Sequence, residues 1–179
     1  MDKLLDNKSV GVVRRIDNLG RIVIPMEIRR SLKIAEGDSL EINTIGERIV
    51  LKKYSALEGI SHSAKTNFMI IGNALNMNIF LMDMDKILYF DEKNNIKDVN
   101  SYDNKIKEIF KTRKVTVFEG ESVLGVDKYF DTKNLNQIII PIENLGDVVG
   151  GVVAYSSDEI KDTNKKVLEI YSEIFEKLI

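Results

Sequence analysis

The tightest constraint on this chain lies between Val10 and Tyr54, where about 45 residues carry four short strand patterns and a single short helix. Val10, Val12 and Ile16 alternate with Gly11 and Arg15, with Val13 breaking a strict period of two, so 10–16 reads as a strand. Asp17-Asn18-Leu19-Gly20 has turn chemistry, with Gly20 able to take a positive φ. The β-branched run Arg21-Ile22-Val23-Ile24 reads as the second strand. Pro25 suits the first position of a helix in which Ile28 and Leu32 share a face while Arg29 and Arg30 point elsewhere. Glu36-Gly37-Asp38 turns the chain, and 39–43 and 48–52 pair as a hairpin around Gly46-Glu47. A unit this small buries too little apolar surface to stand alone. An obligate dimer is the expected solution.

Residues 55–59 read as a linker, although they lack the Pro and Ser of a long flexible one. From Ile60 onward apolar residues recur at 60, 64, 68, 71, 74 and 75, a helical period. Strands follow at 79–82 and 87–90, a helix in 100–113 marked by Ile106, Ile109 and Phe110, and a strand at 115–118. Residues 137–142 and 148–155 form a hairpin around Asn144-Leu145-Gly146-Asp147. A last helix is expected from Asp158, capped by Ser157 or Asp158. This order predicts an α+β domain on an antiparallel sheet over 60–179, after a mostly β domain over 1–54.

Charge separates the two parts more sharply than the formal net charge of −2 suggests. Residues 1–54 hold eleven Lys/Arg against eight Asp/Glu, whereas the other 125 residues hold 15 against 20. Six of the seven arginines precede residue 55, and the planar guanidinium fork suits phosphate and guanine. Asp17 and Glu27 can neutralise two of the six bases in 14–33, which leaves four. Such a patch tracks a phosphate backbone; the plainer alternative is a solvated charged face. The chain has no cysteine and one histidine, so disulfides, thiolate metal sites and cysteine nucleophiles are excluded and a Ser-His-Asp mechanism would hang on His62 alone. No nucleophile–base pair, metal cluster or phosphate loop can be assembled. The expectation is a soluble, cytoplasmic protein that is not an enzyme, holds no cofactor, and has neither a signal peptide nor a membrane span.

The stretch Gly11 to Arg30 fits the pattern V-R-[RK]-[IV]-D-x-L-G-R-[IV]-V-I-P-x-E-[IL]-R-R. With Leu32, Glu36-Gly37-Asp38, Leu40-Glu41-Ile42 and Ile49-Val50-Leu51-Lys52-Lys53-Tyr54, it resembles the AbrB-type transition-state regulators. The resemblance implies a swapped-hairpin barrel, in which two chains interleave, and contacts from Arg14, Arg21, Arg29 and Arg30 to double-stranded DNA. Arg15 occupies the basic position beside the first arginine. The stretch from Pro141 to Val153 resembles the closing hairpin of GAF domains. An AbrB-like domain followed by a GAF-like domain resembles regulators of late spore development. That implies a sequence-specific activator and repressor whose GAF-like domains pair through their terminal helices into a tetramer.

Several other features are weighed without becoming sites. Asp127-Lys128-Tyr129-Phe130-Asp131 resembles a cyclic-nucleotide motif without its leading Asn and reads as a surface loop. His62 reads as a capping or solvated residue, and Met77, Met82, Met84, Phe80 and Phe90 as core. The acids Asp83/Asp85 and Asp91/Glu92 read as solvated turn residues. A small-molecule effector of the GAF-like domain stays open. The alternative function is an antitoxin-like interaction module on the same barrel.

Overall fold

The computed structural model describes residues 11–90, 104–120 and 134–179, with the side chains of 61–65 and 90 excepted. The chain divides into two compact units, Met1–Tyr54 and Ser55–Ile179. The expected linker 55–59 packs with the second unit, where Leu57 is fully buried and Glu58 pairs with Lys86 at 3.3 Å.

In the first unit, α1 (Met26–Ser31) follows Pro25, which stands one position earlier than expected, flanking the helix with φ −56° and ψ 145°. The Pro25 carbonyl accepts the Arg29 N–H at 3.0 Å, so the missing proline donor costs nothing there. The helix ends at Lys33, whose φ is 54°, with the Ile34 N–H donating back to the Arg29 carbonyl at 2.7 Å. Strands β1 (Leu40–Ile45) and β2 (Arg48–Lys53) then pair antiparallel, from Leu40 opposite Lys53 to Ile45 opposite Arg48. Gly46, with φ 59°, closes this hairpin at the expected turn.

The expected strands over 10–16 and 21–24 are not built within one chain. Val10 lies outside the described residues, and residues 11–24 form a turn at 18–20 but no ladder. Among the described residues of the first unit none is buried. Val13 is 90% and Val23 73% exposed, and Ile16, Leu19, Ile22, Met26, Leu32, Ile42, Ile45 and Ile49 also face outward. A β-branched segment with no ladder and no core has both its backbone and its side chains unsatisfied in a single chain.

The second unit is self-sufficient by contrast. It runs α2 (Ser61–Leu75), β3 (Asn78–Asp83), β4 (Ile87–Phe90), α3 (Asn104–Lys111), β5 (Thr116–Phe118), β6 (Asn136–Asn144), β7 (Asp147–Ser156) and α4 (Asp162–Leu178). The strands form one antiparallel sheet in the order β4-β3-β7-β6-β5. Alternation with period two sorts the side chains. Ile79, Leu81, Ile138, Ile140, Val152 and Ala154 pack with Phe68 and Ile71 of α2 and Leu168 and Phe175 of α4. Phe80, Met82, Ile139, Val153 and Tyr155 pack with Ile106 and Phe110 of α3. A side chain at Gly151 would collide with the Phe110 ring and stand 2.5 Å from the Ile140 carbonyl oxygen, so this helix sits where only glycine leaves room.

Three details differ from expectation. The last helix starts at Asp162, not Asp158, because Asp158 is used elsewhere: its carboxylate accepts from Asn76 Nδ2 at 3.0 Å and its carbonyl from Asn136 Nδ2 at 2.9 Å. Asp83 is buried, not solvated; its Oδ1 accepts the N–H groups of Asp85 and Lys86 at 2.8 and 2.7 Å and so shapes the β3–β4 turn. Asp85 faces Lys107 at 3.3 Å. Met77, Met82 and Phe80 are core as expected. The 127–131 motif and Asp91/Glu92 lie outside the described residues, as does the His62 side chain. Between β6 and β7 the two-residue turn places Leu145 at φ 50° and Gly146 at φ 89°, with Leu145 99% exposed. Arg113 braces that turn through Glu143 at 3.1 Å and the Gly146 carbonyl at 2.5 Å.

Candidate nucleic-acid interface

All five candidate arginines lie in the first unit, on a turn and the short helix after it. Asp17 organises the turn. Its N–H donates to the Arg21 carbonyl and its carbonyl accepts the Gly20 N–H, both at 3.0 Å, with Gly20 at φ 76°. Its Oδ1 accepts the N–H groups of Leu19 and Arg21 at 2.9 and 2.8 Å, and its Oδ2 accepts Arg21 Nε at 2.7 Å. The Arg21 backbone N–H, followed by the Arg21 side chain and the Leu19 N–H, holds the Asp17 carboxyl below its ordinary value despite a small opposing desolvation. The carboxylate therefore stays ionised and fixes Arg21 by one edge. That leaves the terminal amino groups of a 72% exposed guanidinium for an outside acceptor.

Arg14 and Arg15 lie on the arm entering the turn, and both are exposed. Arg14 Nη1 reaches only the neighbouring Val13 carbonyl, at 3.3 Å. Arg29 and Arg30 form the last turn of α1. Arg30 is exposed, while Arg29 is half-buried and its Nε is shielded from water without a hydrogen-bond partner. Among the described residues, Arg14, Arg15, Arg29 and Arg30 have no carboxylate partner. The lysines of the hairpin behave differently: Lys52 pairs with Glu41 at 3.0 Å and Lys53 with Asp38 at 3.1 Å. Asn43 and Lys52 draw the Glu41 carboxyl below its usual value.

By sequence alone Asp17 counts as a neutraliser of the patch. The structure makes it the positioning residue for Arg21, a role legible in an Asp followed three residues later by Gly and four later by Arg. The half-burial of Arg29 has no counterpart in the sequence pattern, since helical spacing alone places it away from the Ile28 face.

Comparison with known proteins gives each unit a kinship. Residues 13–58 match the family described as antidote-toxin recognition MazE, bacterial antitoxin. Over 47 residues the chain is 62% identical to the transition state regulatory protein AbrB of Bacillus subtilis (strain 168), covering 26% of this chain and 49% of that one. The second unit is similar in fold to the cofactor-binding GAF domain of the nutrient sensor CodY from Clostridium difficile. That likeness has a TM-score of 0.50 at 13% identity over 68% of this chain and 92% of the other. A free methionine-R-sulfoxide reductase from Thermoplasma acidophilum is similar to the same degree, with a TM-score of 0.50 at 13% identity over 68% of this chain and 94% of that one. Both likenesses concern the fold alone. The first unit is thus AbrB-like and the second a GAF-like fold on an antiparallel sheet, and the relatives in sequence carry the names of regulators. Stage V sporulation protein T of Bacillus subtilis (strain 168) is 33% identical over 159 residues, spanning 85% of this chain and 86% of that protein. With both units aligned in one continuous match, the chain belongs to the family of stage V sporulation protein T.

Proposed function

We propose that this protein is a sequence-specific regulator that binds double-stranded DNA through Arg14, Arg15, Arg21, Arg29 and Arg30. It acts in the cytoplasm as activator and repressor of late sporulation genes. The observation that carries the reading is the division of labour among the bases of the first unit. The hairpin lysines are spent on carboxylates, whereas Arg14, Arg15, Arg29 and Arg30 are left without any and Arg21 is aimed by Asp17. Two copies of the first unit interleave into one barrel, which gives the exposed Val13, Val23 and Ile49 a core and doubles the arginine set about a two-fold axis. The second unit joins two such dimers into a tetramer, so that two DNA sites bind at high effective concentration. Its acidic balance is repelled by DNA and turns the basic ends outward. It also offers a fold suited to a small-molecule effector.

Duplex binding across a salt series tests this, comparing wild type with the double variant Arg21→Ala, Arg29→Ala. The log of affinity is expected to fall with log salt at roughly 0.9 per neutralised phosphate, and the double variant to flatten that slope by about 1 or more per lost contact. An unchanged slope would sink the arginine assignment.

The match of residues 13–58 to an antitoxin family favours a second reading, an interaction module that neutralises a partner protein. Against it, the chain beyond residue 58 folds into a sheet with helices on both faces, not an extended tail. A small protein that co-purifies stoichiometrically would move this reading forward. Catalysis ranks last: a chain without cysteine has no thiol to reduce a sulfoxide or to form a covalent intermediate.

A further inference from the structure

The outward face of α4 carries an apolar stripe with a charged edge beside it. Ile170, Ile174 and Leu178, each four residues from the next, are exposed. Along one side run Asp162, Lys166, Glu173 and Lys177, which fall within an arc of about 60° at 100° per residue. All four are exposed or half-exposed, and none has a side-chain partner in its own chain among the described residues. The other charges within the helix are engaged: Lys165 faces Glu169 at 4.0 Å, and Glu176 accepts the Glu143 N–H at 2.9 Å. Asp162 and Lys166, and likewise Glu173 and Lys177, also stand four apart on their own helix, yet the structure leaves them separate.

The order of the four charges is negative, positive, negative, positive, and their spacing of four, seven and four residues is the same read from either end. A two-fold axis perpendicular to two antiparallel helices brings the same edge of each together with the order reversed. Every charge then meets its opposite. A parallel pairing would set each charge against itself, and shifting the register by one turn would break the match.

We propose that α4 pairs antiparallel with α4 of a second copy about a two-fold axis passing beside Glu169 and Ile170. Lys166 then stands opposite the partner's Glu173 and Asp162 opposite the partner's Lys177, with Ile170 and Ile174 forming the seam. This rests on the reading that the second unit joins dimers into a tetramer, and it fixes the helix, direction and register of that joint. The ion pairs supply partner choice and register, while the isoleucines supply the buried area.

The test is sedimentation equilibrium of the full chain at low salt, comparing wild type, Lys166→Glu, Glu173→Lys and the double variant. Each single reversal converts two symmetric attractive pairs into repulsive ones, and the dimer-to-tetramer association is expected to weaken about 10- to 30-fold. The double variant is expected to regain wild-type association, as is the independent exchange Asp162→Lys, Lys177→Asp. None of these side chains is buried, so far-ultraviolet dichroism and melting should match wild type in every variant. Singles that weaken without rescue by the double would overturn the register. Singles without effect on a stable tetramer would overturn the α4 pairing while leaving tetramerisation standing. A wild type that never exceeds a dimer would remove the tetramer reading and this proposal with it.

Discussion

The two units solve the same problem in opposite ways. In the second, Phe68, Ile79, Leu81, Ile138, Val152 and Phe175 close a core within 125 residues of one chain. In the first, a comparable density of valine and isoleucine closes nothing, and not one described residue is buried. The difference lies in strand supply. The second unit has five strands that pair with one another, whereas the first has a single two-stranded hairpin and a segment, 11–24, with no ladder to join. A sheet of two strands is marginal in water. For the first unit, folding and association are therefore one event, and for the second they are two.

Three measurements would break or sharpen that contrast. The largest effect should come from Phe68→Ala, because Phe68 is buried against Tyr89 and Phe175 at ring-centre separations of 5.7 and 5.2 Å. A loss of about 3–5 kcal/mol is expected in the second unit, read by calorimetry as a downward shift of one transition only. If both transitions moved together, the units would not be thermodynamically separate.

Dilution should act on the other unit. For an obligate dimer, each tenfold dilution of the full chain removes about 1.4 kcal/mol of apparent stability from the first unit, seen as a falling midpoint. The second unit, with its core inside one chain, should move far less. A first unit whose midpoint ignored concentration would overturn its dependence on a second copy.

Acid should also separate them, with the smallest effect. The Asp17 carboxyl lies below its ordinary 3.8 in the folded chain, so its contribution is present above that value and is lost as pH falls through the folded one. First-unit stability should drop on acidification below about 4, and Asp17→Asn should flatten the profile in that window. The same variant should lower DNA affinity by releasing Arg21. A profile unchanged by the substitution would mean that the turn does not depend on this carboxylate.

Most of the second unit is legible in the sequence because its signals are local. Asn144-Leu145-Gly146-Asp147 marks a turn, and the flanking runs alternate between two buried faces, so the hairpin and its register follow from periodicity. The start of α4 is misplaced by sequence because Asp158 has the chemistry of a cap, and only the fold shows Asn76 and Asn136 claiming it. Asp83 misleads for a similar reason: a turn aspartate looks solvated until the turn it shapes is seen to be buried. In the first unit the strand patterns are legible, but not which chain their partners belong to, since hydrogen bonds across a swapped hairpin leave no mark on local pattern. The arginines are legible as a group. Their individual situations, Arg21 clamped by its edge and Arg29 half-buried, depend on the turn and on α1 and are not encoded in spacing.

The turn at Leu145 has a practical consequence. It thrusts one side chain fully into solvent on a rigid, braced hairpin, and the protein has no cysteine anywhere. A thiol placed at that position would be the sole one in the chain, so a fluorophore or spin label would attach at a single known place per copy. Label-to-label distances would then report the geometry of the assembled oligomer, with and without DNA, on a background that needs no other editing.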